Sequence, residues 1–153
     1  MLVRRRICPH GAGSPGIGSY RPSRLLIGSN ENPNMSKFCV SLTHAGDNAD
    51  KATVAFVVAN AALGSGQDTM VFLSIEAVRL SQKGAADSIH EEGFAPLREL
   101  MENFAKSGGV IFVCSPCFKK RQLDENNLVP GAVIVGGAKL VEFLAGGTPS
   151  LSY

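Results

Sequence analysis

Two cysteines stand close together in the run Gly108-Gly109-Val110-Ile111-Phe112-Val113-Cys114-Ser115-Pro116-Cys117-Phe118-Lys119-Lys120-Arg121. A thiol attacks sulfur or binds a metal as its thiolate, and a helix start and nearby cations both favour that form. The apolar, β-branched run into Cys114 reads as a buried strand, and the proline behind it as the opening of a helix. Lys119, Lys120 and Arg121 add the cations. Sulfur chemistry is therefore the first expectation. Cys114 is its nucleophile, with a lowered pKa, Cys117 is a second thiol, and the three cations are anion contacts. The plain alternative for Cys114 is an inert buried cysteine.

A CxxC spacing also suits a redox pair or half of a metal site. Zinc needs about four ligands, and this chain has neither a second CxxC nor a spaced His pair, so no metal site is expected. A thioredoxin-type motif carries a Trp before its first cysteine and follows an earlier strand, whereas this chain has no Trp. His44 and Glu76 lie where strands should end, which makes both candidate substrate contacts and His44 a candidate base. The bland readings are a turn histidine making one hydrogen bond and a solvated helix cap. His90 belongs to a polar loop. Gly136-Gly137 opens a helix, where an anion or close strand-to-helix packing would suit it.

The elements that must position these residues follow from periodicity. Lys37 to Leu42, Thr69 to Ile75, Val110 to Cys114, Ala132 to Val135 and Thr148 to Ser152 read as five strands. Asp50 caps an Ala-rich helix ending at Gly64. A short helical turn covers Glu76 to Gln82, and an amphipathic helix runs from Pro96 to Lys106 before Gly108-Gly109. Phe118 to Leu123 and Gly136 to Leu144 are further helices. Strands that alternate with helices imply an α/β fold: a single domain with a mainly parallel five-stranded sheet flanked by helices. Such folds place ligands beyond the carboxyl ends of the strands. Thr43-His44, Glu76 and Cys114 all fall there.

Composition narrows the classes further. The 153 residues are 44% hydrophobic and suffice for one core. Residues 1–34 hold Arg4, Arg5, Arg6, Arg21 and Arg24 against Glu31, whereas residues 35–153 are mildly acidic, so no nucleic-acid face is expected. Four cysteines in a domain of this size do not suggest a secreted disulfide framework, and no apolar run is long enough for a membrane span. A cytoplasmic protein is expected, with residues 1–34 a disordered basic extension. Gly11 to Gly16 resembles a phosphate loop by composition only, since it has no flanking strand and helix.

Taken in order, these pieces resemble the DsrE/DsrF-like (TusD-related) superfamily, in particular its small single-domain DsrE-type members. The resemblance rests on Leu42-Thr43-His44-Ala45-Gly46-Asp47, the helix Ala52 to Ala62, the strand Val71-Phe72-Leu73, and Glu76-Ala77-Val78-Arg79-Leu80. It continues through Gly108-Gly109, Cys114-Ser115-Pro116-Cys117, Lys120-Arg121 and Leu151-Ser152-Tyr153. It implies a three-layer α/β sandwich over residues 35–153 and homo-oligomers, trimers or hexamers. It also implies a persulfide carried on Cys114 between a protein donor and a protein acceptor, with no cofactor. Gln122 stands where the family's glycine follows the arginine, which fits a backbone that avoids positive φ there. Two other functions compete with a sulfur carrier of sulfurtransferase type. One is a dithiol redox protein using Cys114 and Cys117; the other is a non-enzymatic oligomer that binds a small molecule or nucleotide.

Overall fold

Val40, Leu42, Val71, Leu73, Ile111 and Val113 are all buried on one face of a central sheet. The computed structural model describes residues 36–153; the expectations for residues 1–34 lie outside the described residues. Its strands are β1 (Lys37–Leu42), β2 (Asp68–Leu73), β3 (Val110–Cys114), β4 (Ala132–Val135) and β5 (Ser150–Ser152). They form one sheet in the order β4-β3-β2-β1-β5, with every neighbouring pair parallel. The helices are α1 (Ala49–Gly64), α2 (Leu97–Lys106), α3 (Ser115–Lys120) and α4 (Gly137–Leu144). A 3-10 turn spans Ile75–Ser81.

The layering follows from handedness. From β1 to β4 the chain steps across the sheet in one direction, so right-handed crossovers put α1, the 3-10 turn, α2 and α3 on one face. The connection from β4 back to β5 runs the other way and leaves α4 on the opposite face. The core divides accordingly. Ala52, Ala55 and Phe56 of α1, Leu97, Met101 and Phe104 of α2, and Phe118 of α3 close the first face. Cys39, Met70 and Phe72 meet Leu140, Phe143 and Leu144 of α4 on the second. Phe56 and Phe104 pack edge to face, 5.9 Å between centroids. Gly109 is required before β3, because a Cβ there would overlap the Phe104 ring.

Several boundaries differ from expectation, each for a local reason. Asn48, not Asp50, caps α1, since its Oδ1 accepts the Lys51 N–H at 3.1 Å. β2 stops at Leu73 because Ile75 turns left-handed, with φ +54°. That turn brings the N–H groups of Glu76 and Ala77 onto the Thr43 carbonyl, at 3.1 and 3.2 Å. α3 begins at Ser115, three residues before Phe118, because Pro116 fits the first helical turn, whose N–H groups have no intrahelical acceptor. β5 begins at Ser150 rather than Thr148; Thr148 still bonds to the α4 end, its N–H to the Leu144 carbonyl and its hydroxyl to that of Phe143.

Gln122 also departs from expectation. It does not avoid positive φ; it holds φ +51° as the residue that turns the chain out of α3. Its N–H reaches the Lys119 carbonyl at 3.0 Å, and the Leu123 N–H points back to Phe118 at 3.5 Å. That is the paired-bond helix ending that favours glycine. The glutamine accepts a backbone cost on the order of 1–2 kcal/mol to keep the same turn.

Candidate functional site

Cys114 is both the last residue of β3 and the residue that opens α3. Phe118, 1% exposed, anchors this short helix to the core and so fixes Cys117 one turn beyond Cys114. Both cysteines are half-buried free thiols packed against the main core. Cys114 also borders the second cluster, so its sulfur lies where the two layers meet at the sheet end.

Burial, not charge, dominates the Cys114 thiol. Desolvation pushes its pKa above the ordinary cysteine value, and the neighbouring Cys117 thiol adds to the rise. The Cys117 amide and the Arg121 guanidinium pull the other way. Burial is the larger influence and outweighs that pull. The expected lowered pKa is thus corrected: burial favours the neutral thiol over the thiolate at Cys114. Lys119 and Lys120 are exposed on α3, and of the three cations Arg121 is the one whose charge is felt at Cys114.

Arg121 is itself engaged. Its Nη2 and Nε both donate to Glu76 Oε1, at 2.6 and 3.2 Å, and its Nη1 donates to the Cys117 carbonyl at 3.2 Å. The Arg121 side chain is 11% exposed. Glu76 gives its second oxygen, Oε2, to Arg79 Nε at 2.8 Å. Hydrogen bonds from Arg121, then Arg79, hold the Glu76 carboxyl below the usual carboxylate range. The structure therefore brings Cys114, Cys117, Arg121 and Glu76 together.

His44 belongs to a different, local network. Its Nδ1 lies 2.7 Å from Asp47 Oδ2, and its Nε2 lies 3.2 Å from Lys51 Nζ. Asp47 Oδ1 also accepts the Ala45 N–H at 2.6 Å, the largest of the influences that lower the Asp47 pKa. Among the described residues no hydrogen bond joins this network to the thiols. Gly136 and Gly137 are not explained by close packing, since a Cβ at either would meet nothing within 4 Å. A cavity of about 360 Å³, lined by Lys83, Asp87, Arg98, Met101 and Ile111 among others, contains neither cysteine. Among the described residues no cluster of three or more His, Cys, Asp or Glu side chains could hold a metal. No helix among them is long and apolar enough to cross a membrane.

Sequence reasoning missed three contributors. Thr43 ties three strand ends together: its carbonyl takes the Glu76 and Ala77 N–H groups, while its own N–H and hydroxyl bond to the Tyr153 carbonyl. Arg79 shares Glu76, and the Glu-x-x-Arg spacing on a helical turn was the available signal. Ile75 carried none, because a left-handed β-branched residue is a rare choice.

The geometry agrees with comparisons to known proteins. Residues 36–148 match the DsrE/DsrF-like family. Two uncharacterized proteins of Methanocaldococcus jannaschii, MJ0760 and MJ0989, are 30% and 32% identical over 108 residues, 71% of this chain. The chain spans 39% of the length of the first and 91% of the second. The crystal structure of the ychN protein from E. coli shares the fold, with a TM-score of 0.67 at 19% identity over 78% of this chain and 100% of that one. MTH1491 of Methanobacterium thermoautotrophicum, a protein of unknown function, gives 0.62 at 11% identity over 77% of this chain and 99% of its own. With a parallel five-stranded α/β fold and a family match over most of its length, the chain belongs to the DsrE/DsrF-like family.

Proposed function

We propose that the protein is a sulfur carrier of the sulfurtransferase type, with Cys114 as the carrying residue. The Cys114 thiolate attacks the outer sulfur of a donor persulfide. A new S–S bond forms on Cys114 as the donor's S–S bond breaks, and the donor leaves as a thiolate that takes up a proton. An acceptor thiolate then attacks the outer sulfur, and Cys114 leaves as a thiolate. No oxidant is consumed in either step. Donor and acceptor are protein thiols, and the working form is a homo-oligomer in the cytoplasm.

The observation that carries this reading is the half-buried Cys114 thiol at the β3 end, in a family generally tied to sulfur relay. Burial that keeps the free thiol protonated also shields a bound persulfide from water. Arg121 is the nearby cation that favours the anionic forms. The test is mass spectrometry after exposure to a persulfide donor. One added sulfur atom on Cys114, removable by reductant, lost in Cys114→Ser and kept in Cys117→Ser, is the expected result. Sulfur found only on other cysteines would overturn the assignment.

A dithiol redox function is the second reading, favoured because Cys117 is a free thiol held one helical turn beyond the free thiol of Cys114. Here a disulfide substrate is reduced to two thiols while Cys114 and Cys117 are oxidised to a disulfide. It requires both cysteines, so retained turnover in Cys117→Ser separates it from the carrier.

A further inference from the structure

Among the described residues two non-glycine residues have positive φ, Ile75 at +54° and Gln122 at +51°. They are not scattered. Ile75 immediately precedes Glu76, and Gln122 immediately follows Arg121, so the two left-handed residues bracket the two ends of one ion pair. A β-branched residue in this region is an outlier, and such conformations persist where the surroundings over-determine them. Packing does not repay Ile75, a residue that is 53% exposed.

Each turn has its own backbone bonds: Glu76 and Ala77 to Thr43 on one side, Gln122 to Lys119 on the other. Among the described residues, the hydrogen bonds that join the two turns are those of Arg121 with Glu76, 45 positions away in sequence. The same guanidinium holds the Cys117 carbonyl. Both functional groups are thus consumed internally, which leaves them poorly placed to serve as free substrate contacts.

We propose that Glu76 and Arg121 are positioning residues: their ion pair clamps the left-handed turns at Ile75 and Gln122 to each other and so sets the placement of Cys114 against Cys117. This rests on the reading that the Cys114 site is the working centre, while the clamp itself is measurable without any sulfur transfer. Glycine at position 75 or 122 forms the same turn without strain. Ile75→Gly and Gln122→Gly should therefore raise the melting temperature while the clamp is intact. In a Glu76→Gln background the turns are free to relax, and the same glycines should give little of that gain.

The second measurement is the rate of Cys114 alkylation by iodoacetamide across pH, read on the full chain by mass spectrometry. Glu76→Gln lets Arg121 swing away from the thiols, and the profile should move to higher pH, with alkylation about threefold or more slower at neutral pH. Arg121→Lys keeps the charge but loses the shared grip on Glu76 and the Cys117 carbonyl, and should move it the same way. It is the second variant should Glu76→Gln fold poorly. Equal glycine gains in both backgrounds, or alkylation profiles unchanged in both variants, would overturn the clamp. A chain that takes up no sulfur on Cys114 but shows both clamp effects overturns the carrier alone. One that loads sulfur while Glu76→Gln and Arg121→Lys both leave the alkylation profile unmoved overturns the clamp alone.

Discussion

The ends of β1 and β3 both carry a polar network, yet they are built on opposite principles. At β1, His44, Asp47 and Lys51 lie within eight residues of each other, and they bond to one another on an exposed turn. At β3, the network reaches from Glu76 to Arg121, the arginine is nearly buried, and left-handed residues stand at both ends. The first network is what a strand-to-helix turn needs to satisfy its own polar groups. The second joins two left-handed turns from distant parts of the chain and withdraws a guanidinium from water. Strain and long-range pairing beside two thiols are what the proposed sulfur-carrier function draws on at the β3 end.

The largest effect that would sharpen this contrast is loss of sulfur uptake at the β3 end. Cys114→Ser should abolish persulfide labelling entirely, as read by mass spectrometry, whereas Asp47→Ala at the β1 end should leave it intact. Next comes the anchor of α3. Phe118→Ala removes a fully buried ring and should cost about 3–5 kcal/mol in denaturant unfolding. The loss of helix placement should also free Cys114 to alkylate faster.

Acid gives a smaller, signed effect. The Glu76 carboxyl is held below its unfolded value, so the pair stabilises the fold above the ordinary carboxylate range. That contribution is lost as pH falls through the lowered folded value, and Glu76→Gln should lack this share of the acid sensitivity in thermal melts. In alkali the sign reverses for the buried Cys39, whose pKa burial pushes up to about 11. The unfolded chain sheds this proton near 9.0, the ordinary thiol value, so stability falls as pH rises from there to about 11. Cys39→Ala should show a shallower alkaline decline, whatever its stability at neutral pH. The smallest effect belongs to the β1 turn itself. Asp47→Ala removes its bonds to His44 and the Ala45 N–H and should cost about 1 kcal/mol, without moving the Cys114 alkylation profile.

Much of the fold was legible because its signals are local. β-branched runs, amphipathic spacing in α2 and the Gly108-Gly109 ending each depend on neighbours a few residues away. Cys114 at a strand end and the helix just behind it were legible for the same reason. The thiol's protonation was not. Counting Lys119, Lys120 and Arg121 suggested a lowered pKa, but two of the three point to solvent and burial outweighs the third. Gln122 was misjudged similarly: the side chain argued against a left-handed turn, while the hydrogen bonds at the end of α3 demanded one.

The sequence by itself determined the alternation of strands and helices, a parallel sheet covered by helices through right-handed crossovers, and the position of Cys114 at the end of β3. These follow from periodicity and chirality, which act over short stretches of chain. Only the tertiary structure decided what surrounds that thiol. Desolvation, the pairing of Glu76 with Arg121 and the strain at Ile75 arise from segments up to 45 residues apart. No local pattern encodes the burial that packing imposes when those segments meet.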